Sequence, residues 1–297
     1  MEEIQKVKRR RGDRIDATRV RDLDGMHAII PAMLPNRADN EAFIRELIDV
    51  TAMEAYVAKK NAENPEHRYT MFQVILSAIG RVVDMRPRMN RFIKGEKYYD
   101  RNHITFSLIA KKAFSDNGAE SIAILRYDPQ SEKSSIDEMH DKLCDFVHNI
   151  RHKDKTDDTT STIDLIVKTG LTHFIMRLLA RLDDHGHMPT QLVREDPYNS
   201  TVWVSNLGSI QLNAGYHHLT NWGTNSLFVV IGERHMHPYF DDDGTLSLKP
   251  AIEIGLTLDE RIADGYYYAR TIQLLKQLLA NPELLDTPAK EALNIEN

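Results

Sequence analysis

From Leu246 onward the chain holds the arrangement that most limits its fold: a strand, a short polar turn, Asp-Gly, and a helix. Leu246–Leu258 reads as a long strand. Ala269, Ile272, Leu275 and Leu279 form the buried stripe of a helix that begins after Gly265. The turn between them, within LTLDERIADGYYYA, is fixed by the strand on one side and the helix on the other. Asp264, just before the helix, can accept N–H bonds from its first turn. Taken alone, this block is a helix cap beside a charged turn. A residue on such a turn is still held tightly enough for chemistry, and the residue there is Glu260.

The rest of the chain supplies the partners such a strand needs. Tyr69–Met85 is an amphipathic helix, with Met71, Phe72, Ile75, Ile79, Val82 and Val83 on one face and Arg86-Pro87 closing it. His103–Ala110 and Ala119–Leu125 read as strands split by a Ser-Asp-Asn-Gly turn, and Ile136–Ile150 as a helix. A polar stretch from His152 reads as a surface loop before a long apolar helix, Ile163–Leu182. Thr201–Val204 and Leu227–Gly232 are further strands, with Asp-Asp-Asp-Gly at 241–244 as a turn before Leu246. Helices and strands are mixed without strict alternation, so the expected class is α/β in the mixed α+β sense, as a single domain. The expected boundaries are a charged arm over 1–20, the domain over 21–285 and a tail over 286–297. The basic run from Lys6 to Arg14 reads as a solvated arm, with an anionic partner as the alternative.

Composition narrows the function classes. A net charge of -6 gives no reason to expect nucleic acid as the main partner. The single cysteine, Cys144, excludes an intramolecular disulfide and fits a reducing compartment. The sequence has neither an apolar run of membrane-spanning length nor a secretion-signal pattern, so no membrane association and a cytoplasmic address are expected.

A second block, VWVSNLGSI from Val202, ends a strand in Ser-Asn-Leu-Gly. It places the Ser205 hydroxyl beside a glycine that lets another group come close, an arrangement fit for an oxyanion donor or simply for a strand-end turn. SNLG at 205–208, LTLDERIADG at 256–265 and LLANPELL at 278–285 together resemble the catalytic domain of the dihydrolipoamide acyltransferases, core subunits of 2-oxoacid dehydrogenase complexes, and of the chloramphenicol acetyltransferases. Upstream, DGMHAIIPAML at 24–34 is similar to the family's first helix, and Ile48–Thr51 to its first strand. The resemblance implies a two-layer α/β fold and a homotrimer, or a larger assembly of trimers, with active sites between subunits. It also implies coenzyme A or acyl-CoA as co-substrate, with no metal and, for want of a lipoyl-domain sequence, no covalent lipoate. By the same resemblance Ser205 steadies the oxyanion, Asp264 supports the turn, and the base is the residue at position 260.

The family has histidine at that position and this chain has Glu260; His27 and Met33 likewise stand where the family has arginines. A free glutamate titrates near ~4.3 against ~6.5 for histidine, a deficit of about 3 kcal/mol as a base. Burial would recover part of it, and Arg261 turned toward the carboxylate would deepen it. Among the 13 histidines, His217-His218 follow Ser205 by a dozen residues and read as packing and ring hydrogen bonding before catalysis. His185/His187 and His235/His237 lack the further ligands a metal site needs. Two functions follow. One is a stand-alone coenzyme A-dependent acyltransferase acting on a hydroxyl, thiol or amine through Ser205, Asp264 and, as base, Glu260 or a nearby histidine. The other is an inactive scaffold that keeps the fold.

Overall fold

In the computed structural model, which describes residues 9–63, 68–111, 120–152 and 167–293, the first half of the chain runs β1 (Ala17–Arg19), α1 (Gly25–Met33), β2 (Glu41–Asp49), α2 (Thr51–Glu63), α3 (Met71–Met85), β3 (Arg91–Lys94), β4 (Lys97–Arg101), β5 (Ile104–Lys111) and β6 (Glu120–Tyr127). It continues through α4 (Ser135–His152), α5 (Thr172–Asp184), α6 (Thr190–Glu195), β7 (Val202–Asn206), β8 (Leu227–Ile231), β9 (His235–Phe240), β10 (Leu246–Asp259) and α7 (Gly265–Ala280). The large sheet has the order β2-β10-β8-β7-β5-β6, with β9 paired to the first half of β10. Its central pairs β5–β7 and β7–β8 are parallel, and the flanking pairs are antiparallel. A small sheet, β1-β4-β3, stands beside it.

Alternation along the strands decides the layers. Ile252, Ile254, Leu256 and Leu258 of β10 share one buried face with Leu227, Val229 and Ile231 of β8 and with Val202 and Val204 of β7, and helices cover it. The central helix, α3, starts in a capping box between Thr70 and Gln73. It buries Val74, Ile75, Leu76, Ile79, Val82 and Val83, each worth roughly 1.5–3 kcal/mol removed from water.

The opposite face carries Trp203, Ser205, Phe228 and Val230, and the segment from Gln211 to Thr224 crosses it as a strap. Two glycines admit the strap. A Cβ on Gly232 would stand 2.4 Å from the Ala214 nitrogen, and one on Gly255 2.1 Å from the Gly215 oxygen. The His217 ring then stacks on Phe228 at 4.7 Å and Tyr216 meets Phe43 edge-on at 5.3 Å.

Most expected elements form, and the departures have local causes. The helix expected over Ile163–Leu182 is broken at Gly170, whose φ is +69, and a new helix starts at Thr172. Residues 163–166, the loop from residue 153 and the Ser-Asp-Asn-Gly turn lie outside the described residues. The family's first strand, placed at Ile48–Thr51, is instead Glu41–Asp49, and Thr51 already begins α2. The turn at 241–244 joins β9 to β10, not β8 to β10. Arg14, read as part of a solvated arm, is 2% exposed. It is held by Asp16 at 3.0 Å and Asp183 at 2.7 Å, and β1 pairs with β4. The tail also packs back: Arg81 donates to the carbonyls of Ala289 and Glu291, and Ala289 is buried. No helix among the described residues is long and apolar enough to cross a membrane.

Candidate active site

β10 ends at Asp259, whose carboxylate is fully buried. Arg261 turns back on it, with Nε and Nη2 each donating to one carboxylate oxygen at 2.7 Å. Arg37 stands 3.5 Å from the same carboxylate. The remaining Arg261 nitrogen donates to the carbonyls of Leu34 at 2.7 Å and Pro35 at 3.2 Å, tying the turn to the end of α1. The Tyr268 hydroxyl donates to the Asp259 carbonyl at 2.7 Å and the Tyr98 hydroxyl to the Arg261 carbonyl at 3.0 Å. Burial pushes the Tyr98 phenol up to about 12, so it stays a donor throughout the physiological range.

Glu260 sits between the two halves of this clamp. Its N–H donates to the Asn40 carbonyl at 3.1 Å, its side chain is exposed, and its carboxylate has no hydrogen-bond partner among the described residues. Arg261 is committed to Asp259 and does not turn toward Glu260. Asp264 caps α7 by accepting from the Tyr267 N–H at 2.8 Å, as the sequence implied, and Arg88 lies 3.8 Å from its carboxylate.

Glu260 and Asp264 open onto a groove of about 590 Å³ between β2, at the sheet edge, and α7. Ala42, Ile44, Ala269 and Ile272 give it an apolar floor. Its charges are Glu46, Glu260 and Asp264 against Lys276, which Glu46 already holds at 2.8 Å. The floor suits an uncharged chain such as the arm of a thioester. Three carboxylates to one ammonium do not suit a phosphate.

Ser205 is not part of this groove. It pairs in register with Val230, and Val230 with Gly255, five residues before Glu260. Two strand spacings and five residues of rise separate Ser205 and Glu260 by about 19 Å within one chain. Ser205 also alternates with Val202 and Val204 onto the face away from the helices.

The strap histidines behave as packing residues. His217 stacks on Phe228, and the His218 Nδ1 pairs with Glu41 at 2.8 Å. His235 pairs with Asn213 at 3.1 Å, His185 with the Arg181 carbonyl at 2.8 Å, and His27 with Asp24 at 2.7 Å. No group of three metal-ligating side chains occurs among the described residues. Sequence reading missed the clamp itself. The signal was present as an acid and an arginine two apart, flanking Glu260, but that spacing alone does not say which group the arginine grips.

Comparison with known proteins matches residues 141–286 to the family model of the 2-oxoacid dehydrogenases acyltransferase (catalytic domain). Residues 141–286 thus resemble that family's catalytic domain. The fold extends the likeness to the whole acyltransferase core. A probable dihydrolipoamide acetyltransferase from Listeria monocytogenes superposes with a TM-score of 0.56 at 14% identity, covering 89% of this chain and 95% of that one. A truncated catalytic core of the 2-oxoacid dehydrogenase multienzyme complex from Thermoplasma acidophilum gives 0.53 at 14% identity, covering 89% and 99%. A chloramphenicol acetyltransferase gives 0.56 at 10% identity, covering 89% and 99%. No curated protein sequence matches this acyltransferase-fold chain.

Proposed function

We propose that this acyltransferase-fold protein transfers an acyl group from a coenzyme A thioester to a hydroxyl, thiol or amine, with Glu260 as the base, Ser205 as the oxyanion donor and Asp264 as the support of the turn. The observation that carries this reading is the Asp259–Arg261 clamp, which presents Glu260 uncommitted at an open groove. In that role the Glu260 carboxylate takes the proton of the acceptor as it attacks the thioester carbonyl, and gives it back to the departing thiolate. A Ser205 hydroxyl donating to the carbonyl oxygen offsets the charge that develops there.

The separation of about 19 Å between Ser205 and Glu260 in one chain supports an assembly in which Ser205 of a neighbouring copy reaches the groove, as in a homotrimer or a larger oligomer of trimers. The apolar floor supports an uncharged acyl-carrying arm in the groove. The phosphates of coenzyme A then need cations beyond the acidic rim, and Arg88 stands nearest to Asp264.

The first experiment is calorimetric titration of the purified protein with acetyl-coenzyme A and with longer acyl chains, followed by turnover of Glu260→Gln on any acceptor found. Micromolar binding, with turnover abolished in the variant, supports the reading. No binding by any acyl-coenzyme A would overturn it in favour of a scaffold role, and unchanged turnover in the variant would remove Glu260 from the mechanism.

A further inference from the structure

Where β5 begins and the chain enters β7, a second cavity of about 130 Å³ is walled by Arg101, His103, Thr105, Arg194, Asp196 and Ser200, with Asp16 also on its wall. At ~30 Å³ for each water it has room for roughly four, enough for a carboxylate or phosphate group and too little for a nucleotide. It is four strand positions from β2, about 19 Å across the sheet from the Glu260 groove. The two are separate sites within one chain.

Hydrogen-bond accounting gives the cavity its character. Its carboxylates are already used. Asp196 accepts from the Tyr198 N–H at 2.9 Å with one oxygen and from the Trp222 indole at 2.6 Å with the other, and Asp16 is bridged to Arg14 at 3.0 Å. Its donors are not. Arg101 is 8% exposed, and its Nε has no hydrogen-bond partner. Its terminal nitrogens reach only the Asn90 carbonyl, at 3.4 Å, and the carbonyl and hydroxyl of Thr224. Among the described residues, neither the Arg194 guanidinium nor the His103 ring has a protein partner. Buried donors in native proteins find acceptors, so surplus donors at a cavity call for a ligand rich in acceptors. The local field agrees. Burial, then the charges of Arg126 and Arg194, holds the His103 imidazole below its ordinary value, and burial pushes Arg101 down to about 9 despite Asp16.

We propose that this cavity binds a small oxyanion, a carboxylate or phosphate group, held by Arg194 and His103 at the mouth and by Arg101 within. Inorganic phosphate and acetate are the probes, titrated separately into the full-length protein while the histidine rings are followed by NMR. The His103 resonances are expected to shift saturably with one of them, and its pKa to rise as the anion offsets Arg126 and Arg194. Saturation by phosphate alone identifies a phosphate group as the ligand, and saturation by acetate a carboxylate. Arg194→Gln, an exposed position without protein partners, is expected to weaken binding by about tenfold or more. Absence of a His103 shift with either anion up to about 10 mM overturns the proposal, as does equal affinity in wild type and Arg194→Gln. The wild-type titration stands whether or not the variant folds.

Discussion

Arg261 reaches back two residues to grip both oxygens of Asp259, at 2.7 Å each, and leaves Glu260 between them facing the groove. Both side chains of this pair are buried, so neither charge has water to fall back on if the other is removed. Asp259→Asn would strand Arg261 and Arg37 together without their shared counter-charge. The expected cost is about 3–5 kcal/mol of unfolding free energy in urea, the range for breaking a buried pair by one partner. A loss below about 1 kcal/mol would mean that the carbonyls of Leu34 and Pro35 hold Arg261 unaided.

Glu260 itself is expected to matter little for stability, because its exposed carboxylate bonds to nothing described. Glu260→His should therefore change unfolding free energy by no more than about 0.5 kcal/mol. If position 260 holds the base, turnover should rise roughly tenfold in the variant, because a free imidazole is a stronger base than a free carboxylate by about two units. Initial rates of the two proteins on one acyl-coenzyme A and acceptor pair decide it. Equal rates would say that proton transfer at position 260 does not limit the reaction.

The C-terminal third was the most legible part of the sequence because its signals are local. Asp264 announces its helix by capping chemistry, and the β10-turn-α7 unit follows the chain order. β2 was harder to read: Glu41–Asp49 mixes Glu and Arg among its apolar residues because it is an edge strand, whose outer side meets water and the groove. β1, β3 and β4 are short, and the buried Asp183 that Arg14 and Lys94 grip beside them is distant in sequence from both. The identity of Glu260 as the residue inside a clamp depends on Arg37 as well, more than two hundred residues away, and no local pattern carries that.

His103 gives a pH dependence whose sign follows from its depressed pKa. Burial comes first among the causes, then the charges of Arg126 and Arg194, with Asp16 and Asp128 opposing. The unfolded chain binds this proton near 6.5 and the folded chain only below that value, so folding loses stability as pH falls through 6.5 toward the folded pKa. Other histidines titrate in the same interval, and His103→Gln isolates this one. Urea unfolding of both proteins at several pH values should show wild type losing more stability than the variant as pH falls from about 7 to 5. Parallel curves would show that the folded protein leaves the His103 proton affinity unchanged.

The β9–β10 hairpin bears on assembly. Met236, Pro238 and Phe240 stand in register with Pro250, Leu248 and Leu246, so one face of this arm is apolar throughout. Phe240 is 73% exposed, Leu248 63% and Leu246 56%. The arm extends past the part of β10 that β8 and β2 cover, and within one chain much of that face stays open to solvent. Contiguous apolar patches of this kind mark interaction surfaces. In the proposed oligomer a neighbouring copy covers the arm, and burying two large apolar side chains there is worth roughly 3–6 kcal/mol per contact. Phe240→Glu with Leu248→Glu should therefore convert the assembly to monomers in sedimentation velocity. The fold of each chain should remain, because neither residue belongs to the core. Acyl transfer should fall with the assembly, since Ser205 and Glu260 of a single chain stay about 19 Å apart. An unchanged sedimentation coefficient would show that the hairpin lies outside the subunit contact.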